Sequence, residues 1–232
     1  MKILKINKKK FKQIIKIAIK FIKEEKVLVC PTDTVYGLIC DATNKKAIQK
    51  VFKIKKREPG KPIPIFVRDI VRAKKLARID KKQEEFLRKV WPGRITVILK
   101  RKKSKIKIYG VDKETIGLRI PKHKLLNILL KKLNRPLTGT SANISGKSAS
   151  TKIKEVINQF ENQKHRPDLV LDAGNLKPAK PSTVIDLTTK NPKILRKGEI
   201  STYRVNSAIA KLTRYDWQNI SEKVYGIYQK LI

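Results

Sequence analysis

Across 232 residues the chain carries two cysteines, Cys30 and Cys40, one methionine, Met1, and two histidines, His123 and His165. So few thiols exclude a disulfide framework, and these Cys and His residues lack the spacing of a zinc site. Acidic residues are also scarce, 19 Asp plus Glu against 57 Lys plus Arg, for a formal charge of +38. Long apolar runs are absent: each is short and interrupted by Lys, which excludes a bilayer-spanning helix. The stretch from Met1 to Lys10 has Lys but no following apolar core with a small-residue cleavage site, so it does not read as a signal peptide. The expectation is a cytoplasmic protein with two reduced, largely buried thiols and no membrane contact.

Hydrophobic residues make up 40% and charged residues 33% of the chain, which excludes a disordered polymer and allows one large domain or two small ones. The excess charge attracts phosphate polymers and other anions. It names no partner, because Lys recurs from Lys2 to Lys230 beside abundant Ile and Asn, without the local Arg and aromatic clusters of a nucleic-acid groove.

Along the chain, Phe11, Ile14, Ile15, Ala18, Phe21 and Ile22 recur at helical spacing within Lys8 to Lys26. Val27 to Cys30 reads as a buried strand stopped by Pro31, with a polar turn at Thr32 to Thr34 and a second run from Val35 to Cys40. Asn44 can cap a helix through Val51 and Phe52; Asp69 and Asp80 begin two more, the second broken at Trp91-Pro92-Gly93. Lys55 to Pro62 is a loop. Strands are expected at 63–67, 95–99, 115–120, 136–138, 169–171, 183–187 and 193–195. A helix is expected from His123 to Leu133, a polar loop from Ser141 to Ser150, and a helix from a Thr151 cap to Phe160. This alternation predicts an α/β fold, a mixed open sheet with helices packed on it, followed by a helical tail at 202–232 that includes Trp217, Tyr225 and Tyr228.

Two local resemblances carry no chemistry. Gly146-Lys147-Ser148 ends like a phosphate-binding loop, but Ser141 stands where that loop needs its first Gly. Ser141 and His123 could enter a hydrolase triad, yet no Gly-x-Ser-x-Gly elbow is present. Four other segments gather a different chemistry. Pro31-Thr32-Asp33-Thr34-Val35-Tyr36-Gly37-Leu38 brings hydroxyls and a carboxylate to the end of a buried strand, where open α/β sheets hold ligands. Lys55 to Pro62 is a stiff cationic loop able to grip a polyphosphate. Thr138-Gly139-Thr140-Ser141-Ala142-Asn143-Ile144-Ser145-Gly146 offers small residues, hydroxyls and an amide. Pro181-Ser182-Thr183 with Leu195-Arg196-Lys197-Gly198 adds another hydroxyl and another cation.

In this order, PTDTVYGL, Lys55-x-Arg57 before Lys61-Pro62, WPG, TIGLRIP, TSANISG, PSTVIDL and LRKG resemble the YrdC/YciO family of threonylcarbamoyl-AMP synthases, from about Lys8 to Ser201. The resemblance implies a twisted mixed α/β sheet around a concave basic site, a synthase domain over 1–201 and the tail at 202–232. It implies that L-threonine and bicarbonate form N-carboxy-threonine, whose carboxylate attacks the α-phosphate of ATP, with Mg2+ carried by the nucleotide. The product would pass to a separate threonylcarbamoyl-transferase complex that modifies tRNA. Carried over by motif, the catalytic set is Lys55, Arg57, Ser141 and Asn143. ATP would also meet Pro59, Lys61, Thr115, Ala149 and Arg196; L-threonine and bicarbonate would meet Thr32, Arg119, Gly139, Thr140 and Ser182.

The chain departs from the common pattern at Asp33, where many members carry Glu, and at Ile39, Phe66, Arg94 and Ala149. Two other readings stay open at this point: an RNA- or ribosome-binding module of the same fold, contacting tRNA or double-stranded RNA without synthesis, and a paralogue acting on another carbamoyl or amino-acid substrate.

Overall fold

The computed structural model describes residues 1–58 and 60–201. Pro59 and the expected helical tail at 202–232 lie outside the described residues. The chain runs β1 (Lys2–Lys5), α1 (Phe11–Lys23), β2 (Leu28–Cys30), β3 (Gly37–Ile39), α2 (Lys45–Lys55), β4 (Ile65–Phe66), α3 (Ile70–Leu76) and α4 (Lys81–Val90). It continues through β5 (Ile95–Lys100), β6 (Thr115–Arg119), α5 (Lys124–Leu133), β7 (Leu137–Thr138), β8 (Thr140–Ser141), α6 (Ile153–Phe160), β9 (Leu169–Asp172), β10 (Thr183–Asp186) and β11 (Lys193–Arg196).

The fold is mixed α/β, as expected, but its strands form two sheets, ordered β1-β9-β2-β3-β8 and β11-β10-β5-β6-β4-β7. Both mix parallel and antiparallel pairs: β2 runs parallel to β9 and antiparallel to β3, while β5 runs parallel to β10 and antiparallel to β6. The first sheet is covered on both faces. Leu28, Cys30, Ile39 and Leu169 pack on α1 and α5. Their neighbours Val29, Leu38 and Val170 point the other way, toward α2 and α6. A strand covered on both sides is apolar at every position, which is why Val27 to Cys30 shows no alternation. In the second sheet β5, β6 and β10 pack one face on apolar core, while at the β4–β7 edge Phe66 and Leu137 also join the core of the first sheet. Val97, Leu99, Ile116, Leu118 and Ile185 pack on α3 and α4.

Helix boundaries follow side-chain chemistry. Asn44 accepts from the Ala47 N–H, Asp69 from that of Arg72, and Asp80 with Gln83 forms a reciprocal capping box. Thr151 does not cap α6. The Leu176 N–H engages its carbonyl at 2.9 Å, and the cap position moves to Lys152, which makes no side-chain cap bond. Ser150 Oγ instead accepts from the Lys152 N–H at 2.9 Å. Strand β1 was not expected from the sequence; it adds parallel to β9 at the sheet edge. Thr140 and Ser141, the latter expected in a loop, form β8 against β3.

The two sheets meet where the chain steps from β7 to β8 through Gly139. Its N–H donates to the Pro64 carbonyl at 2.7 Å. A Cβ on Gly139 would lie 2.7 Å from the Phe66 ring, so close approach rather than an unusual φ requires glycine here.

Candidate active site

Between the sheets lies a cavity of about 490 Å3. Its floor is the uncovered face of the second sheet, and the period of two along each strand selects what it shows. Where Val97 and Leu99 turn inward, Thr96 and Ile98 face the cavity. Where Ile116 and Leu118 turn inward, Thr115, Gly117 and Arg119 face it. Ser182 and Val184 do the same around Ile185. The walls are the 32–37 turn, the 55–64 loop and the 139–146 segment.

Arg119 sits deep in this floor, its side chain 3% exposed. Nη2 donates to Asp33 Oδ1 at 2.6 Å, Nε to the Gly93 carbonyl at 2.8 Å and Nη1 to Thr34 Oγ1 at 3.4 Å. The guanidinium carbon lies 5.5 Å from the centroid of the Phe66 ring. Asp33 Oδ2 accepts from the Lys122 N–H at 3.1 Å, so one carboxylate holds both the arginine and the backbone after β6. The Trp91-Pro92-Gly93 turn supplies the Gly93 carbonyl and ties back to β6 through its N–H on Ile120 at 2.9 Å.

Arg196 donates from Nε and Nη2 to the Ser182 carbonyl at 3.1 and 2.8 Å, and from Nη2 to Ser182 Oγ at 3.1 Å. Ser182 Oγ is also 2.9 Å from Thr96 Oγ1. Burial lowers both guanidinium groups from their usual values; Asp33 opposes this at Arg119, and repulsion from Arg119 adds to it at Arg196. Two partly desolvated cations on one floor favour an anion between them.

Lys55, 2% exposed, points under the 141–145 segment. Its Nζ donates to the carbonyls of Ser141 and Asn143 at 2.7 and 2.9 Å and to Asn143 Oδ1 at 3.1 Å. Ser141 Oγ donates to the same Oδ1 at 2.5 Å, while Asn143 Nδ2 donates to the carbonyls of Ile144 and Lys147 at 2.9 and 2.6 Å. Burial, with repulsion from Arg57, pulls the Lys55 ammonium down to about 7. Arg57 clamps its own loop, Nε to the Lys61 carbonyl at 3.1 Å and Nη2 to that of Pro62 at 3.0 Å. Lys61 pairs with Glu58 at 2.9 Å, and both are exposed.

Lys55, Arg57, Lys61, Thr115, Ser141, Asn143, Arg196, Thr32, Arg119, Gly139, Thr140 and Ser182 all line this one cavity. Ala149 is not among its lining residues. The Thr32 hydroxyl donates to the Val35 carbonyl at 2.7 Å and accepts from the Thr34 N–H at 2.9 Å, which closes the turn. Thr96 was not anticipated: its strand was legible, but not which of its faces would be left open. Thr34 was read as part of the hydroxyl-bearing 31–38 segment, without a role of its own. The departures also find places. Ile39 is a core residue, and Arg94 pairs with Glu199 at 2.5 Å.

A family model described as "Telomere recombination", covering Sua5, YciO and YrdC proteins, matches residues 20–198. The chain belongs to this family. A Methanocaldococcus jannaschii protein provisionally named threonylcarbamoyl-AMP synthase is 37% identical over 200 residues, 86% of this chain and 93% of its own length. Pyrococcus abyssi threonylcarbamoyl-AMP synthase is 30% identical, over 91% of this chain but 60% of that protein. The crystal structure of Pyrococcus abyssi Sua5 complexed with L-threonine superposes with a TM-score of 0.81 at 30% identity, over 90% of this chain and 61% of that one. Escherichia coli YciO superposes at 0.74 with 28% identity, over 85% of this chain and 96% of that one. The chain thus spans about three-fifths of the Pyrococcus synthase and nearly all of YciO.

Proposed function

We propose that the chain is a nucleotidyltransferase that makes threonylcarbamoyl-AMP and pyrophosphate from L-threonine, bicarbonate and ATP. One observation carries this reading: a single cavity is lined by Lys55, Arg57, Lys61, Arg119 and Arg196, with Glu58 as the one lining carboxylate among the described residues, already paired to Lys61. Such a site suits a reaction that gathers three anions, a triphosphate, an amino-acid carboxylate and bicarbonate. The Pyrococcus relative that crystallised with L-threonine supports the amino acid.

In this reading Arg119 takes the threonine carboxylate with a guanidinium that Asp33, at Nη2, and the Gly93 carbonyl, at Nε, hold in place, and Ser182 with Thr140 orients the amino acid. Arg57, Lys61 and Arg196 receive the phosphates. The threonine nitrogen bonds to the bicarbonate carbon with loss of water, and the resulting carbamate oxygen bonds to the α-phosphorus as the bond to the leaving pyrophosphate breaks. Fixed cations offset the charge that develops there. Mg2+ would enter with the nucleotide rather than on a protein cage, since the described residues of the cavity offer no cluster of carboxylates to hold it. The adenylate then passes to a transferase that modifies tRNA.

Purified chain should release pyrophosphate from ATP only when both L-threonine and bicarbonate are present. Release that ignores the omission of threonine, or no release at all, overturns the assignment.

A further inference from the structure

The 143–148 turn forms part of the cavity wall, where Asn143, Ser145 and Gly146 face inward. Packing does little to define its tip. Residues 145–148 are exposed, and at Gly146, with φ +85, no heavy atom lies within 4 Å of where a Cβ would sit. Hydrogen bonds hold the turn instead. The Lys147 N–H closes on the Ile144 carbonyl at 3.0 Å, and the Ser145 N–H reaches the end of α2 at 2.7 Å. Asn143 grips from the cavity side, through the bonds from its Nδ2 to the Ile144 and Lys147 carbonyls.

A second amide grips the turn from behind. Gln159 lies on α6, three residues after the buried Val156 and just before the buried Phe160, so it stands on the flank of the stripe that packs on the first sheet. It is not a lining residue of the cavity. Its Oε1 accepts the Ile144 N–H at 3.1 Å, and its Nε2 donates to the Ser148 carbonyl at 3.0 Å. One side chain thus fastens two points four residues apart. The Ile144 N–H shares a rigid peptide plane with the Asn143 carbonyl, so Gln159 fixes the peptide that leaves Asn143. We propose that Gln159 is a positioning residue for the nucleotide side of the cavity: without touching substrate, it sets the course of the 144–148 turn and so the placement of Asn143, Ser145 and Gly146. The proposal deepens the synthase reading and, in its kinetic arm, rests on it.

Gln159→Leu removes both bonds and keeps a good helix former in α6. In the ligand-free chain it should speed hydrogen exchange at the Ile144 amide by about tenfold or more, with the Val170 amide in β9 unchanged. Unchanged exchange at Ile144 overturns the proposal, as does equal acceleration at Val170, which would report general loosening. Gln159→Glu keeps an oxygen for the Ile144 N–H and should hold exchange there within about threefold of wild type. Acceleration as large as in Gln159→Leu would refute that role for Oε1. In pyrophosphate release, Gln159→Leu should raise KM for ATP by about tenfold and leave KM for L-threonine within about twofold. A variant that is merely less stable loses active molecules, which lowers apparent kcat and moves neither KM. That pattern, or a rise in both KM values together, also overturns the proposal. Should Gln159→Leu fail to fold, Gln159→Ala removes the same two bonds and faces the same measurements. A wild-type chain without pyrophosphate release would remove the synthase reading, while the exchange experiment, which needs no substrate, still decides whether Gln159 sets the turn.

Discussion

Asp33 shows how one side chain sets the electrostatics of the site. Its carboxylate, 7% exposed, faces a guanidinium that is 3% exposed, and a buried pair broken on one side leaves the other charge uncompensated. Asp33→Asn should therefore lower stability by about 3–5 kcal/mol in denaturant unfolding. Under the proposed synthase reading it should also raise KM for L-threonine by about tenfold or more, because Arg119 loses the partner that orients it. Asp33→Glu, which keeps the carboxylate, should retain much of both. A variant with unaltered threonine KM would show that Asp33 serves stability alone.

Lys55 gives a pH signature at the same scale. Burial lowers its folded-state value to about 7 from 10.5. Between those limits the unfolded chain holds a proton that the folded chain has released. Stability attributable to this group therefore rises with pH from about 7 toward 10.5 and is flat on either side. Denaturant midpoints across that window should rise in wild type relative to Lys55→Met; parallel curves would contradict the assignment.

Elements decide which of these side chains can meet. The alternation along β5, β6 and β10 was legible in the sequence as strand, but not which face would be left uncovered. Thr96 and Arg119 become site residues only because α3 and α4 pack on the opposite face. The caps at Asn44, Asp69 and Asp80 were legible because a capping oxygen acts within three residues. Thr151 misled by one residue: α6 starts after Lys152, and the Thr151 carbonyl is engaged by the N–H of Leu176, distant in sequence. The step between sheets at Gly139 is the most demanding joint. Gly139→Ala should destabilise the chain by about 1–3 kcal/mol through the clash with Phe66. Adding Phe66→Leu should return part of that loss. If the single substitution leaves the melting curve in place, the joint is looser than its geometry implies.

At the scale of the whole molecule, the charge of +38 and the chemistry separate. Most Lys side chains among the described residues are solvated, and several guard the sheet edges. The edge strands β1 and β11 read Lys-Ile-Leu-Lys and Lys-Ile-Leu-Arg, with Ile3 and Leu195 exposed between charges that discourage edge pairing. The thiols lie at the other extreme. Cys30 and Cys40 are fully buried; burial pushes Cys30 far above the usual thiol value and Cys40 up to about 12. Neither should react with a thiol reagent in the native chain, and both should react once denaturant opens the first sheet. Rapid labelling under native conditions would refute that burial. No helix among the described residues is long and apolar enough to cross a membrane.

The sequence by itself determined the family motifs and their order, the α/β class, most helix caps and nearly every strand. These depend on local periodicity, capping and turn chemistry, which act over a few residues. Tertiary structure alone divided the strands into two sheets and brought Asp33 to Arg119 and Lys55 beneath Asn143. Those pairings cross up to 88 positions of chain. Which donor meets which acceptor at that range is set by sheet packing and burial, which no local pattern encodes.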